Sequence, residues 1–213
     1  MKIIKNAAVL VICGLLLVWS FSSTAKIDYV TNYPPKNDTI VAFGDSLVEG
    51  YDASRGDSDL GGFVSILSKK IGRPIINLGH YGDTTEQGLA RIWEVTAINP
   101  GTVIVLFGGD DALGGVPSDK VFSNMRKIVS TLQARGAVVI LLGIRNGILV
   151  DTYKTQFEKL ASDTGTLYVP DMLSGIFGNE IESRPIRWGL HVVRIVCLCR
   201  CISGHQFSRV VCA

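Results

Sequence analysis

The chain has 213 residues and a formal net charge of +2. That length suits one domain with a full core. The charge is nearly balanced and its basic residues are scattered, which argues against nucleic acid as a partner.

Residues 1–25 stand apart from the rest. Lys2 and Lys5 precede an apolar run over 7–19, and Ser23-Thr24-Ala25 offers small residues for cleavage, the layout of a secretory signal. The alternative is an uncleaved N-terminal anchor giving membrane association, although the run is shorter than the about 20 residues of a comfortable span. Export to the periplasm or the exterior is the preferred reading. Cys13 follows Ile12 rather than the small residue a lipoprotein cleavage site prefers. No cysteine lies between Gly14 and Val196, so the core does not depend on disulfides.

Residues 26–38 read as an extended lead-in that Pro34-Pro35 keeps out of any helix. Asn37-Asp38-Thr39 matches a glycosylation sequon, but the bacterial look of the signal argues against a glycan. The first strand covers 39–43, apolar on both faces as in a parallel sheet. It ends in Gly44-Asp45-Ser46. Gly44 permits a tight turn, Asp45 and Ser46 are helix-starting residues, and a hydroxyl placed there sits at the carboxyl end of a parallel strand. This makes Ser46 the candidate nucleophile of a serine esterase.

A polar loop over 49–61 carries a second Gly-Asp-Ser, Gly56-Asp57-Ser58, and Arg55-Gly56-Asp57. No strand precedes it, so both read as solvated loop. Phe63, Ile66, Leu67 and Ile71 share a helical face. The second strand spans 74–78, then a Gly-rich turn through Gly82 leads into a helix with Leu89, Ile92, Trp93 and Thr96 inward. Asn99-Pro100-Gly101 stops that helix. The third strand, 102–107, delivers Gly108-Gly109-Asp110-Asp111. Ser118 or Asp119 is expected to cap the next helix, whose buried stripe is Val121, Met125, Ile128, Val129 and Leu132, and which Gly136 closes. A strand over 137–142, a helix over 151–162 burying Tyr153, Phe157, Leu160 and Ala161, and a strand over 167–169 complete the pattern. Such alternation predicts an α/β fold, three layers α/β/α around a five-stranded parallel sheet in the flavodoxin-like order 2-1-3-4-5. Strands one and three then flank the switch point, so Ser46 and Asp110 face one crevice.

Gly44-Asp45-Ser46-Leu47, the block from Asn77 to Thr85 around Gly82-Asp83-Thr84, and Gly108-Gly109-Asp110-Asp111 together resemble the three N-terminal blocks of the SGNH hydrolases, also called GDSL esterases. The resemblance covers roughly 39–178 and looks closest to small secreted bacterial thioesterases, lysophospholipases and arylesterases. It implies attack by Ser46 on a small acyl ester or thioester, an acyl-enzyme, and no cofactor. It also implies an oxyanion site made by the N–H groups of Ser46 and Gly82 and by the side chain at position 110.

Two departures stand out. The family has asparagine where this chain has Asp110, and an ionised carboxylate has no donor to offer. The family also carries Asp-x-x-His near its C-terminus, whereas no Asp follows Asp171 here. From Ser183 to Ala213 the chain holds five Arg, four Cys and two His but no Asp, Glu or Lys. The organisation read from this is a signal or anchor over 1–25, an extended lead-in over 26–38, a hydrolase-type domain over 39–179, and an atypical tail over 180–213 whose composition suggests a shifted reading frame. His191 falls roughly where the family's base would, His205 reads as a loop residue, and His80 lies near the crevice with nothing to orient it as a base. Cys197, Cys199 and Cys201 lack the spacing of zinc ligands, so no metal is expected. The expected function is ester hydrolysis, impaired in this chain. The alternatives are a catalytically dead protein of the same fold holding an acyl or acetylated ligand, and an interaction module using the Arg-Gly-Asp loop.

Overall fold

A strand that is apolar on both faces must be covered on both. In the computed structural model of the chain, which describes residues 30–50, 62–145, 151–170 and Met172, three strands meet that condition. They are β1 (Ile40–Gly44), β3 (Thr102–Leu106) and β4 (Val138–Leu142), buried at every position. The edges are β2 (Ile75–Gly79), half-exposed along its length, and the short β5 (Leu167–Val169). All pairings are parallel and the order is β2-β1-β3-β4-β5, as the alternating pattern predicts. Strand β2 begins at Ile75 rather than at Pro74, whose ring nitrogen has no hydrogen to donate to the ladder.

The helices that complete the three-layer α/β/α arrangement are α1 (Ser46–Glu49), α2 (Phe63–Ile71), α3 (Thr85–Ala90), α4 (Ile92–Ile98), α5 (Gly109–Leu113), α6 (Ser118–Ala134) and α7 (Tyr153–Thr164). Helix α6 buries Val121, Phe122, Met125, Ile128, Val129 and Leu132, the expected stripe. Truncating any of its fully buried Met125, Ile128 or Leu132 to alanine should cost about 2–5 kcal/mol. An aromatic chain links α6 and α7 to the sheet. Phe122 meets Tyr153 and Phe157 edge-on at 5.2 and 4.9 Å, and Phe157 stacks on Tyr168 of β5 at 5.9 Å.

Three expectations are corrected. The helix expected over the segment following Gly82 is two helices, broken at Arg91 (φ −104°, ψ 15°). The break resets the helical phase, so Val95 is buried and Trp93 lies 65% exposed instead of facing inward. Neither Ser118 nor Asp119 caps α6: Pro117 holds the cap position without a side-chain bond, and its fixed φ starts the helix there. Residues 30–38 of the lead-in, finally, form a strap with turns rather than a simple extended arm. Thr31 N–H donates to Gly165 O, the Asn32 amide donates to Gln133 O and Ala137 O, and the Asn37 amide donates to Asn99 O. These bonds lie by the amino ends of β3, β4 and β5, away from Ser46.

Candidate active site

Ser46 is the first residue of α1 and half-buried, directly beyond β1. Its turn is built by its neighbours. A Cβ on Gly44 would lie 2.2 Å from the Leu106 carbonyl oxygen and 2.4 Å from Val48, so only glycine lets β1 and β3 approach there. Asp45 caps the helix: its Oδ1 accepts from Leu47 N–H at 3.0 Å, and its carbonyl accepts from Val48 N–H and Glu49 N–H. Gly50 closes the helix at φ +86°. The Asn77 amide on β2 donates to Val48 O at 2.8 Å and Glu49 O at 3.3 Å, holding the helix's far end.

The register places the three sequence blocks side by side. Gly44 pairs with Gly79 of β2 on one side and with Leu106 of β3 on the other. Gly82 follows three residues after Gly79, and Asp110 four after Leu106. Gly82 has φ +77°, with nothing within 4 Å of where a Cβ would point, so the conformation itself favours glycine there. His80 is exposed, and its backbone N–H donates to Gly44 O at 3.0 Å. Asp110 lies in the first turn of α5, half-buried, behind Gly108 at φ +112°.

Carboxylates dominate the electrostatics. Asp45 is 1% exposed and its Oδ2 has no hydrogen-bond partner among the described residues. Burial pushes its pKa up to about 7, against the opposing bond from Leu47, and the nearby charges of Asp110, Asp111 and Asp83 add to the rise. Asp110 is also raised, first by desolvation and then by Asp111 and Asp83. A methyl on Gly109 would sit 3.5 Å from Asp45 Oδ2, so the Asp45 carboxyl of the first block lies against the backbone of the third.

Sequence reading missed the polar side chains that lock the blocks together. Asp111 is buried, accepting from Thr85 N–H at 2.8 Å and from the Thr85 hydroxyl at 2.7 Å, while the Asn124 amide donates to the same hydroxyl oxygen at 3.3 Å. Arg91 pairs with Asp83 at 2.5 Å and donates to Gly44 O at 2.9 Å and Leu78 O at 3.1 Å. Its only trace in the sequence is a charged residue next to an apolar helical face. Among the described residues no group of three or more His, Cys, Asp or Glu could hold a metal ion. Ser58, the Arg55-Gly56-Asp57 loop, His191, His205 and the four C-terminal cysteines lie outside the described residues.

Comparison with known proteins gives a consistent picture. Residues 42–188 match the model of the GDSL-like Lipase/Acylhydrolase family. The chain is 28% identical over 153 residues to Esterase TesA of Pseudomonas aeruginosa, covering 66% of this chain and 73% of that protein. It is 32% identical over 111 residues to Thioesterase 1/protease 1/lysophospholipase L1 of Escherichia coli K12, covering 51% of each. Among solved structures, TesA superposes with a TM-score of 0.62 at 25% identity, covering 76% of this chain and 97% of that one. AlinE4, an SGNH-hydrolase family esterase, superposes with a TM-score of 0.56 at 28% identity, covering 79% and 97%. With three blocks on adjacent strand ends and a family match over more than half its length, the chain belongs to the GDSL-like lipase/acylhydrolase family, the SGNH hydrolases, which act on ester bonds.

Proposed function

We propose that the chain is a serine esterase in which the Ser46 hydroxyl attacks the carbonyl of a small acyl ester or thioester. The Ser46 proton passes by way of a general base to the departing alcohol or thiol, an acyl-enzyme forms, and water releases the acid. Two backbone donors stabilise the oxyanion, the N–H of Ser46 at the head of α1 and the N–H of Gly82. The observation that carries this reading is the register Gly79–Gly44–Leu106, which sets the three block-bearing strand ends side by side at the carboxyl end of the sheet.

Asp110 occupies the third donor position as a carboxyl. It donates only when protonated, and the desolvation that raises its pKa works in that direction. Loss of one such donor slows turnover on the order of 10²–10³-fold.

Further parts of the proposal concern the base and the ends of the chain. The described residues hold one histidine, His80, exposed and with no side-chain hydrogen bond among them to orient it. The sequence after Asp171 has no Asp-x-x-His, so hydrolysis by this chain is impaired. We read residues 180–213 as an atypical ending appended to a domain over 39–179. Residues 1–25 serve export, with membrane anchoring as the alternative; no helix among the described residues is long and apolar enough to cross a membrane.

An organophosphonate probe tests the site. The adduct, mapped by mass spectrometry, is expected on Ser46 and lost in Ser46→Ala, and Asp110→Asn is expected to speed labelling by restoring a neutral donor. An adduct on Ser58, or one that survives Ser46→Ala, overturns the assignment. Labelling at Ser46 without any ester turnover would favour a protein of this fold that binds an acyl ligand.

A further inference from the structure

We propose that Arg91 is the positioning residue of the oxyanion site, holding the Ser46 and Gly82 N–H groups at a fixed separation. The inference rests on the reading of those two groups as the donors. Arg91 stands at the break between α3 and α4, its side chain only 11% exposed. Its guanidinium reaches three pieces of chain. Nη2 donates to Gly44 O at 2.9 Å, Nη1 to Leu78 O at 3.1 Å, and Nε to Asp83 Oδ2 at 2.5 Å. Nη1 also approaches Glu94 Oε2 at 3.4 Å, and the guanidinium carbon lies 4.6 Å above the Phe43 ring.

The partners are informative. Gly44 is two residues before Ser46, and Asp83 directly follows Gly82. A single planar fork therefore spans the end of β1 and the turn beyond β2. The Thr85–Asp111 bonds fix the start of α3 just beyond that turn, and Arg91 ties the turn itself back to β1. Gly82 faces open space on its Cβ side, and backbone bonds within the turn include Asp83 N–H to His80 O at 3.3 Å and His80 N–H to Gly44 O at 3.0 Å. Gly44 O thus accepts from both Arg91 and His80, and loosening Arg91 frees Gly82 to move relative to Ser46. Arg91 also neutralises Asp83, one of the charges that raise the carboxyls of Asp45 and Asp110. Lysine cannot replace it, because an ammonium is a point donor and lacks the fork that serves two carbonyls and a carboxylate together.

The test measures the second-order rate of Ser46 labelling by a fluorophosphonate in the full chain. The variants are Arg91→Ala, Arg91→Lys, Asp83→Asn and the Arg91→Ala/Asp83→Asn pair. A displacement of about 1 Å in a reacting geometry is enough for a loss on the order of 10²-fold, and a slowing of that size is expected for Arg91→Ala. Arg91→Lys should recover little of it. Millimolar methylguanidinium should restore part of the rate in Arg91→Ala and none in Arg91→Lys. The double variant should be no slower than Arg91→Ala alone, because both changes break one linkage. A native rate in Arg91→Ala overturns the proposal, as does a slow rate that follows the loss of the thermal transition and ignores methylguanidinium. Should Arg91→Ala not fold, native rates in both Arg91→Lys and Asp83→Asn overturn it. A native chain that takes no label at Ser46 is a different failure, removing the nucleophile reading and the clamp with it.

Discussion

Asp45 is pulled in two directions. As the cap of α1 it is favoured when ionised, since a carboxylate accepts well at a helix start. As a group 1% exposed with an unpartnered Oδ2, it is favoured when neutral, and burial wins. Its folded pKa of about 7 stands above the ordinary 3.8, so the folded chain holds a proton that the unfolded chain releases. The resulting stability is fully present below pH 3.8, declines as pH rises, and is gone above about 7. A shift of that size corresponds to a change on the order of 4 kcal/mol. Asp45→Asn keeps the acceptor for Leu47 and cannot ionise. Urea midpoints of the two proteins between acid and mildly alkaline pH should therefore diverge in slope, with the native chain losing stability relative to Asp45→Asn as pH rises. Parallel curves would show that Asp45 is ionised in the folded chain.

Helix α1 is only one turn long, too short to be stable by itself. It persists because β2 presses against it. A Cβ on Gly79 would lie 2.0 Å from the Glu49 nitrogen and 2.6 Å from the Glu49 Cα, so the two backbones touch where a side chain would stand. Asn77, on the same strand, bonds the helix's last carbonyls. Gly79→Ala should force β2 and α1 apart, an overpacking that costs about 1–3 kcal/mol or more. Thermal unfolding should report a lower midpoint, and phosphonate labelling at Ser46 should slow further than the lost stability explains. An unchanged midpoint would refute the close approach. The edge strand was legible as a strand from Ile75, Ile76 and Leu78. Its role as the support of the serine turn was not, because that depends on a glycine meeting a backbone from a distant part of the chain.

At the scale of the whole molecule, the sheet order sets the strand ends that precede Ser46, Gly82 and Asp110 side by side, and the proposed reaction also needs a general base. A serine without its base is a weak nucleophile near neutral pH, and triad losses leave about 10³–10⁴-fold over water. Replacing everything after Asn179 with an Asp-x-x-His-Pro ending and a closing helix should raise kcat/KM for a short p-nitrophenyl ester at least about 10²-fold. Both proteins are to be measured side by side. Equal turnover would mean that the present ending supplies a base, and His191 would be the first residue to mutate.

What the sequence determined by itself was local or periodic. Runs apolar on both faces marked β1, β3 and β4 as interior parallel strands, helical spacing marked the buried stripe of α6, and their alternation implied the order β2-β1-β3-β4-β5. The block at each strand end then placed Ser46, Gly82 and Asp110 beyond the carboxyl ends of adjacent strands. The tertiary structure decided whatever depends on polar side chains reaching across elements. The break at Arg91 that turned Trp93 outward, the buried Asp111–Thr85 linkage and the burial of Asp45 have no periodic signature. A hydrophobic pattern records which face of an element is buried, whereas a hydrogen bond from Arg91 to Gly44, 47 residues away, is fixed only when the sheet has brought the two strand ends together.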